Sequence, residues 1–342
     1  MTCYKCSDPL IPKNQANPKQ LKDKKYISEE HIIPNFCGGH IKSSNLLCEG
    51  CNNILGTELE GELSQQLIFA RLIPFKLDRG KQQGLRLVGI TKESRQEVLI
   101  DNKLQYTFAK PLIEFTDDGR LKKLRVKSEE EARHILTKLA KKDLSINVEE
   151  ELKRIEFKDI YLEERVDFED YIFGGKRAHR GIAKIALNFY LAKGGNRDLV
   201  KEIIKYICLP DVRNDFVAFY YPICKIHELA EMEISHVLYL KGDNKKKLLY
   251  CYIELFSTTN FIVILNNDYE GHNFIEQYCY SLIDNAEIID KKIDLTLFTN
   301  PLEILDYQEE FDKYKIQTQQ DLKPRISRAF RIVEKLNYED YF

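Results

Sequence analysis

The sequence predicts an α+β protein in which a small zinc-stapled module precedes a larger mixed α+β domain. Three observations predict it. Two Cys-x-x-Cys pairs, Cys3/Cys6 and Cys48/Cys51, bracket a segment rich in Cys, Asn, Pro and Gly that has too little apolar sequence for a core of its own. Beyond it, helical stripes of apolar residues alternate with short strand-like runs. The chain has 342 residues, beyond the roughly 250–300 at which single cores stop growing, so more than one domain is expected.

The balance of 43% hydrophobic and 31% charged residues fits a globular chain and excludes a disordered one. A net charge of -2 means that any attraction to a polyanion must come from local patches. No run approaches the ~18 apolar residues of a membrane span, and Met1 to Cys6 lack the apolar region of a signal peptide, so no membrane partner and a cytoplasmic location are expected. In that reducing setting nine cysteines imply metal ligation or burial rather than disulfides. Cys37, Cys208, Cys224, Cys251 and Cys279 stand alone among apolar or aromatic neighbours and read as small core residues.

Four thiolates in two pairs match a closed tetrahedral zinc site, with a functional insertion inside the long interval between them. After the second pair, Leu55, Leu59, Leu63 and Leu67 recur every four residues with acidic residues between, as on an amphipathic helix. Strands are expected over 85–90, 97–100 and 121–126. A helix follows, with Ser128 and Glu131 as its capping box and Ala132, Ile135, Leu136 and Leu139 as its stripe. The polar stretch 141–151 is the expected boundary, giving residues 1–65 as the zinc module, 66–145 as an α+β connecting region and 146–342 as a C-terminal α+β domain. In that domain 176–193 reads as a helix stopped by Gly194-Gly195, the runs 236–240, 248–256 and 261–265 as an antiparallel meander, and 325–336 as a final helix.

Between the cysteine pairs lie Ser28-Glu29-Glu30-His31-Ile32-Ile33-Pro34 and Gly38-Gly39. Next comes Ser44-Asn45-Leu46-Leu47-Cys48-Glu49-Gly50-Cys51-Asn52-Asn53-Ile54-Leu55-Gly56. These segments resemble the zinc-containing bacterial branch of the HNH, or ββα-metal, endonucleases, over about 60 of the 342 residues.

The resemblance implies a β-hairpin and a helix around one catalytic metal, and hydrolysis of DNA phosphodiesters. It makes His31 the general base and Glu30 a metal ligand in the place where the family has Asp or His. It makes Asn45 the brace of the loop carrying the base, and Asn52 the last metal ligand. Ser43 or Ser44 competes for the bracing role and Asn53 for that of Asn52. A set of oxygen ligands suits Mg²⁺ or Mn²⁺ better than zinc. An imidazole with an ordinary pKa near ~6.5 suits a base at neutral pH.

Two basic groups are candidate phosphate contacts. Lys22, Lys24 and Lys25 lie in the loop 13–25, and Lys176, Arg180 and Lys184 form an every-fourth-residue stripe opposite the apolar face of the helix 176–193. Plain solvation accounts for either as well, and edge protection for the basic run Arg120, Lys122, Lys123, Arg125 and Lys127. His40 reads as a phosphate contact or an exposed loop residue. The primary partner is then nucleic acid, DNA by family habit. One such site cuts one strand, which allows a homo-oligomer for double-strand cleavage. Two other readings stand beside it: an effector nuclease of bacterial antiviral defence, gated by a small-molecule or protein activator through the C-terminal domain, and a non-catalytic zinc-stabilised nucleic-acid binder.

Overall fold

The computed structural model describes residues 1–67, 87–93, 95–101, 106–126, 128–141, 146–155, 166–167, 175–213, 215–220, 226–295, 302 and 324–336. Cys224 and Lys127 lie outside them. The fold is mixed α+β, as the patterns require, but it divides differently from the expectation. One compact unit comprises Met1–Gln83 together with Phe173–Phe342, and a second comprises Gly84–Ile172. The polar stretch 141–151 therefore falls inside the second unit rather than between domains, and the N-terminal segment shares its unit with the C-terminal sheet. No described helix is long and apolar enough to cross a membrane.

In the first unit a short helix α1 (Pro18–Lys22) is capped by Asn17, whose side chain accepts from the Gln20 amide in a full capping box. Strands β1 (Glu30–His31) and β2 (Lys42–Ser43) pair antiparallel, Glu30 opposite Ser43 and His31 opposite Lys42. Helix α2 (Glu49–Leu55) then runs through one π-helical turn (Gly56–Glu60) into α3 (Gly61–Gln66). Leu55, Leu59, Leu63 and Leu67 are all buried along it.

The second unit carries β3 (Leu87–Thr91), β4 (Glu97–Ile100), β5 (Tyr106–Phe108), the hairpin β6 (Leu112–Phe115) and β7 (Leu121–Arg125), helices α4 (Glu129–Ala140) and α5 (Val148–Lys153), and β8 (Val166–Asp167). The four-stranded sheet runs β5-β4-β3-β8. Ser128 caps α4 by accepting from the Glu131 amide at 3.2 Å. Ala132, Leu136 and Leu152 form a small core with Leu121, Leu124 and Val126 against it.

Back in the first unit, α6 (Gly175–Ala192) and α7 (Lys201–Cys208) precede an antiparallel sheet of β9 (Val217–Phe219), β10 (Ser235–Asp243), β11 (Leu248–Leu255), β12 (Thr259–Asn266), β13 (Phe274–Ser281) and β14 (Ala286–Glu287), ordered β14-β13-β10-β11-β12-β9. The expected meander is its centre. Every residue of β11 is buried, so this strand is covered on both faces. Helix α8 spans 324–336. Gly194, at φ 83, supplies the left-handed turn that stops the chain after α6.

Helix α6 packs against α3 and the sheet. Gly181 permits the close approach, because a Cβ there would lie 2.5 Å from Leu63 Cδ1. The face of α6 expected to be a solvent-exposed basic stripe is instead interior. Arg180 and Lys184 are 1% and 3% exposed, and of the three expected residues Lys176 alone faces solvent.

Candidate active site and metal centre

Local backbone bonds assemble the four cysteines. The Ser7 amide donates to the Cys3 carbonyl and the Cys3 amide to the Asp8 carbonyl, both at 2.8 Å, which closes the first knuckle, with Ser7 itself at φ 63. The Tyr4 amide donates to Leu46 O at 3.0 Å, tying that knuckle to the segment leading into Cys48 at the head of α2. All four Sγ atoms lie within 4.8 Å of one another, and those of Cys6 and Cys48 are 3.8 Å apart. Zn–S bonds of about 2.3 Å in a tetrahedron place sulfurs about 3.8 Å apart, so the donor set fits a zinc ion. Burial pushes the Cys6 thiol up to about 11 and raises that of Cys51 further. At Cys3 burial is outweighed by hydrogen bonds from the backbone of Cys6, Cys48 and Lys5, which hold the thiol below its ordinary value, so Cys6 and Cys51 are the two that a shared cation would have to help ionise.

The Gly-Gly pair has a steric origin. Gly38 sits at φ 80, and a Cβ on Gly39 would collide with the backbone carbonyl of Ile33. The loop from β1 to β2 can fold back over Ile32 and Ile33, both buried, only with those two residues in place.

His31 lies half-buried on β1, beside the fully interior Glu30. Glu30 Oε1 accepts from Lys184 Nζ and, at 3.1 Å, from Asn188 Nδ2, both on α6, and the Asn52 side chain also hydrogen-bonds the Glu30 carboxylate. Asn52 Nδ2 donates to Ser28 Oγ at 2.8 Å. Lys184 Nζ reaches Glu60 at 2.7 Å, and Arg180 pairs with Glu58 at 2.7 Å while donating twice to the Ile207 carbonyl. Burial raises the Glu30 pKa against the pull of Lys184. For Lys184 burial acts downward, but the carboxylates of Glu30 and Glu60 outweigh it and hold the ammonium charged.

The expected Glu30–Asn52 site for a catalytic divalent ion does not fit this arrangement. The Glu30 carboxylate already faces an ammonium and two amides at 3% exposure. Among the described residues, the cysteine quartet is the one group of three or more His, Cys, Asp or Glu ligand atoms that converges on a point. Asn52 does meet Glu30, as expected, but through a hydrogen bond. Asn45 is exposed, and its backbone amide donates to Ser43 Oγ at 3.4 Å. Asn53 is exposed on α2. His40 stacks on Tyr280 at 4.8 Å rather than standing clear in solvent.

Of the expected phosphate contacts, Lys22 and Lys24 are exposed, and Lys25 pairs with Asp8 at 2.6 Å. Sequence reasoning missed Asn188, Glu60 and the inward role of Lys184. Their signal was the i, i+4, i+8 spacing of Arg180, Lys184 and Asn188, which marks one helix face without saying what covers it.

Residues 18–68 match the family model of the HNH endonucleases, which are metal-dependent and act on nucleic acid. No curated protein and no solved structure matches the chain.

Proposed function

Taking an HNH endonuclease segment folded into a larger α+β unit as the premise, we propose that this protein hydrolyses DNA phosphodiester bonds with His31 as the general base. The observation that carries the reading is the position of His31. It stands half-exposed on a two-strand hairpin that leads through Gly38-Gly39 into α2, with the cysteine quartet joining the chain's start to that helix. A hairpin followed by a helix is the order of elements a ββα module needs, and the partial exposure of His31 supports its reading as the base. A neutral imidazole there accepts the proton of the attacking water as the oxygen bonds to phosphorus and the ester oxygen departs.

The test is supercoiled plasmid with wild type and His31→Ala, in Mg²⁺, Mn²⁺ or EDTA. The expected result is metal-dependent nicking that falls at least about 100-fold in the variant, while zinc content is unchanged. Plasmid binding without nicking by the wild type would favour a non-catalytic zinc-stabilised binder. Equal nicking by both proteins would remove His31 from the chemistry.

One observation favours a gated form of the same enzyme. The hairpin is bonded directly to the C-terminal half, through Glu30 to Lys184 and through Cys37 to His236. A ligand on that half that shifts α6 or β10 would therefore reach the hairpin. Nicking that appears only on addition of a small-molecule activator is the outcome expected of this form.

A further inference from the structure

We infer that Lys184 and Asn188, which lie far outside the segment that carries the nuclease motif, are positioning residues of the active site. They act through Glu30 to fix the direction in which His31 faces. The inference rests on the nuclease reading above.

Strand β1 is short, two residues with one cross-strand partner each, and the backbone beside it is tied by the Ile32 amide to the Ile41 carbonyl at 2.9 Å and the Ser28 amide to the Leu47 carbonyl at 3.2 Å, so side-chain anchors add to a brief ladder. Successive side chains on a strand leave on opposite sides, and here Glu30 goes inward while His31 stays half-exposed. Whatever holds the Glu30 carboxylate therefore bears on the roll of His31. Two side chains one helical turn apart on α6 hold it, both on Oε1, beside the hydrogen bond from Asn52 on α2. Lys184 is itself fixed by Glu60 in the π-helical turn, so one ammonium joins the hairpin, the helical segment that follows Cys51 and α6.

Stability alone does not account for this choice of residues. Replacing a buried ion pair by an apolar pair of the same shape is often neutral or stabilising, and in some proteins what the pair contributes is a unique arrangement. The pair is too deep to touch a polymer substrate, since both side chains are at most 4% exposed. Its effect on cleavage must pass through the neighbouring imidazole.

The test uses Glu30→Gln, Lys184→Met and Asn188→Leu in the full-length, zinc-loaded protein. Lys184→Met strands a buried carboxylate and can unfold the unit, so the double variant Glu30→Gln/Lys184→Met, which removes both charges, is included. Four quantities are measured: zinc content with thermal unfolding, kcat and KM for plasmid nicking, the Mg²⁺ concentration at half-maximal rate, and the ring C–H resonances of His31, assigned by their loss in His31→Ala. A double variant that keeps its zinc is expected to lose kcat on the order of 100-fold with KM and Mg²⁺ demand unchanged, and its His31 resonances should move.

A folded double variant with wild-type kcat and unmoved His31 signals would overturn the inference, as would a loss of kcat with those signals unmoved. So would Glu30→Gln raising the Mg²⁺ demand while Lys184→Met leaves it unchanged, because that marks Glu30 as a metal ligand. If the wild type cuts nothing, the nuclease reading fails, and the His31 resonances still decide whether α6 orients that ring.

Discussion

Cys37 and His236, separated by 199 positions, are joined by a buried hydrogen bond in which the His236 ring Nε2 donates to the Cys37 carbonyl at 2.8 Å. The other ring nitrogen, Nδ1, accepts from the Phe256 amide at 3.3 Å. An amide can only donate, so the ring is the neutral tautomer with its proton on Nε2. It fastens the loop after β1 to the start of β10.

A pH dependence follows. Burial lowers the His236 pKa to about 4. In the unfolded chain an ordinary histidine takes its proton near ~6.5. Between those values the unfolded state binds the extra proton, so this residue's contribution is complete above about pH 6.5 and is lost as pH falls toward 4, by about 3 kcal/mol in all. Denaturant unfolding at pH 7 and 4.5 should show a steeper acid loss for wild type than for His236→Gln. Parallel losses would refute the assignment.

The Gly38-Gly39 turn predicts an asymmetry among glycines. Gly39→Ala places its methyl on a backbone carbonyl that cannot yield, and should cost more than about 3 kcal/mol or give protein that fails to take up zinc. Gly56→Ala meets nothing within 4 Å on a helical backbone, and should be neutral or stabilising by up to about 1 kcal/mol. Thermal unfolding of the two variants side by side is the check.

Zinc removal should loosen the whole first unit. Cys48→Ser is expected to bind less than one zinc per chain and to lower the unfolding midpoint on the order of 10 °C. Metal analysis with calorimetry tests this, and a zinc-free protein of unchanged midpoint would contradict it.

Tyr4 is fully interior, and its hydroxyl has no hydrogen-bond partner among the described residues. Burial and the nearby Glu30 raise its pKa far above the ordinary value. Tyr4→Phe removes an unsatisfied group without leaving a cavity and should stabilise by up to about 1 kcal/mol. A loss of that size would mean the hydroxyl is bonded after all.

Local chemistry explains which features were legible in the sequence. The cysteine pairs, Gly38-Gly39, the Leu55–Leu67 stripe, the Ser128 cap and the extent of α6 all follow from spacings of a few residues, and the structure has each of them. The inward turn of Arg180 and Lys184 was not legible, because a charged helix face looks the same whether water or carboxylates cover it. Here the covering residues, Glu30, Glu58 and Glu60, come from the other end of the chain. The division into units was hidden for the same reason: the first unit is assembled from two segments with the second unit's residues between them.

That split assembly bears on synthesis. A ribosome releases the cysteine knuckles and His31 long before it reaches Lys184 and His236, an interval on the order of ten seconds at elongation rates of ~5–20 residues per second. Until then the nascent hairpin lacks the side chains that anchor it. A translation product cut short ahead of those residues would carry the whole motif and still lack the side chains that hold the Glu30 carboxylate and the Cys37 carbonyl in place.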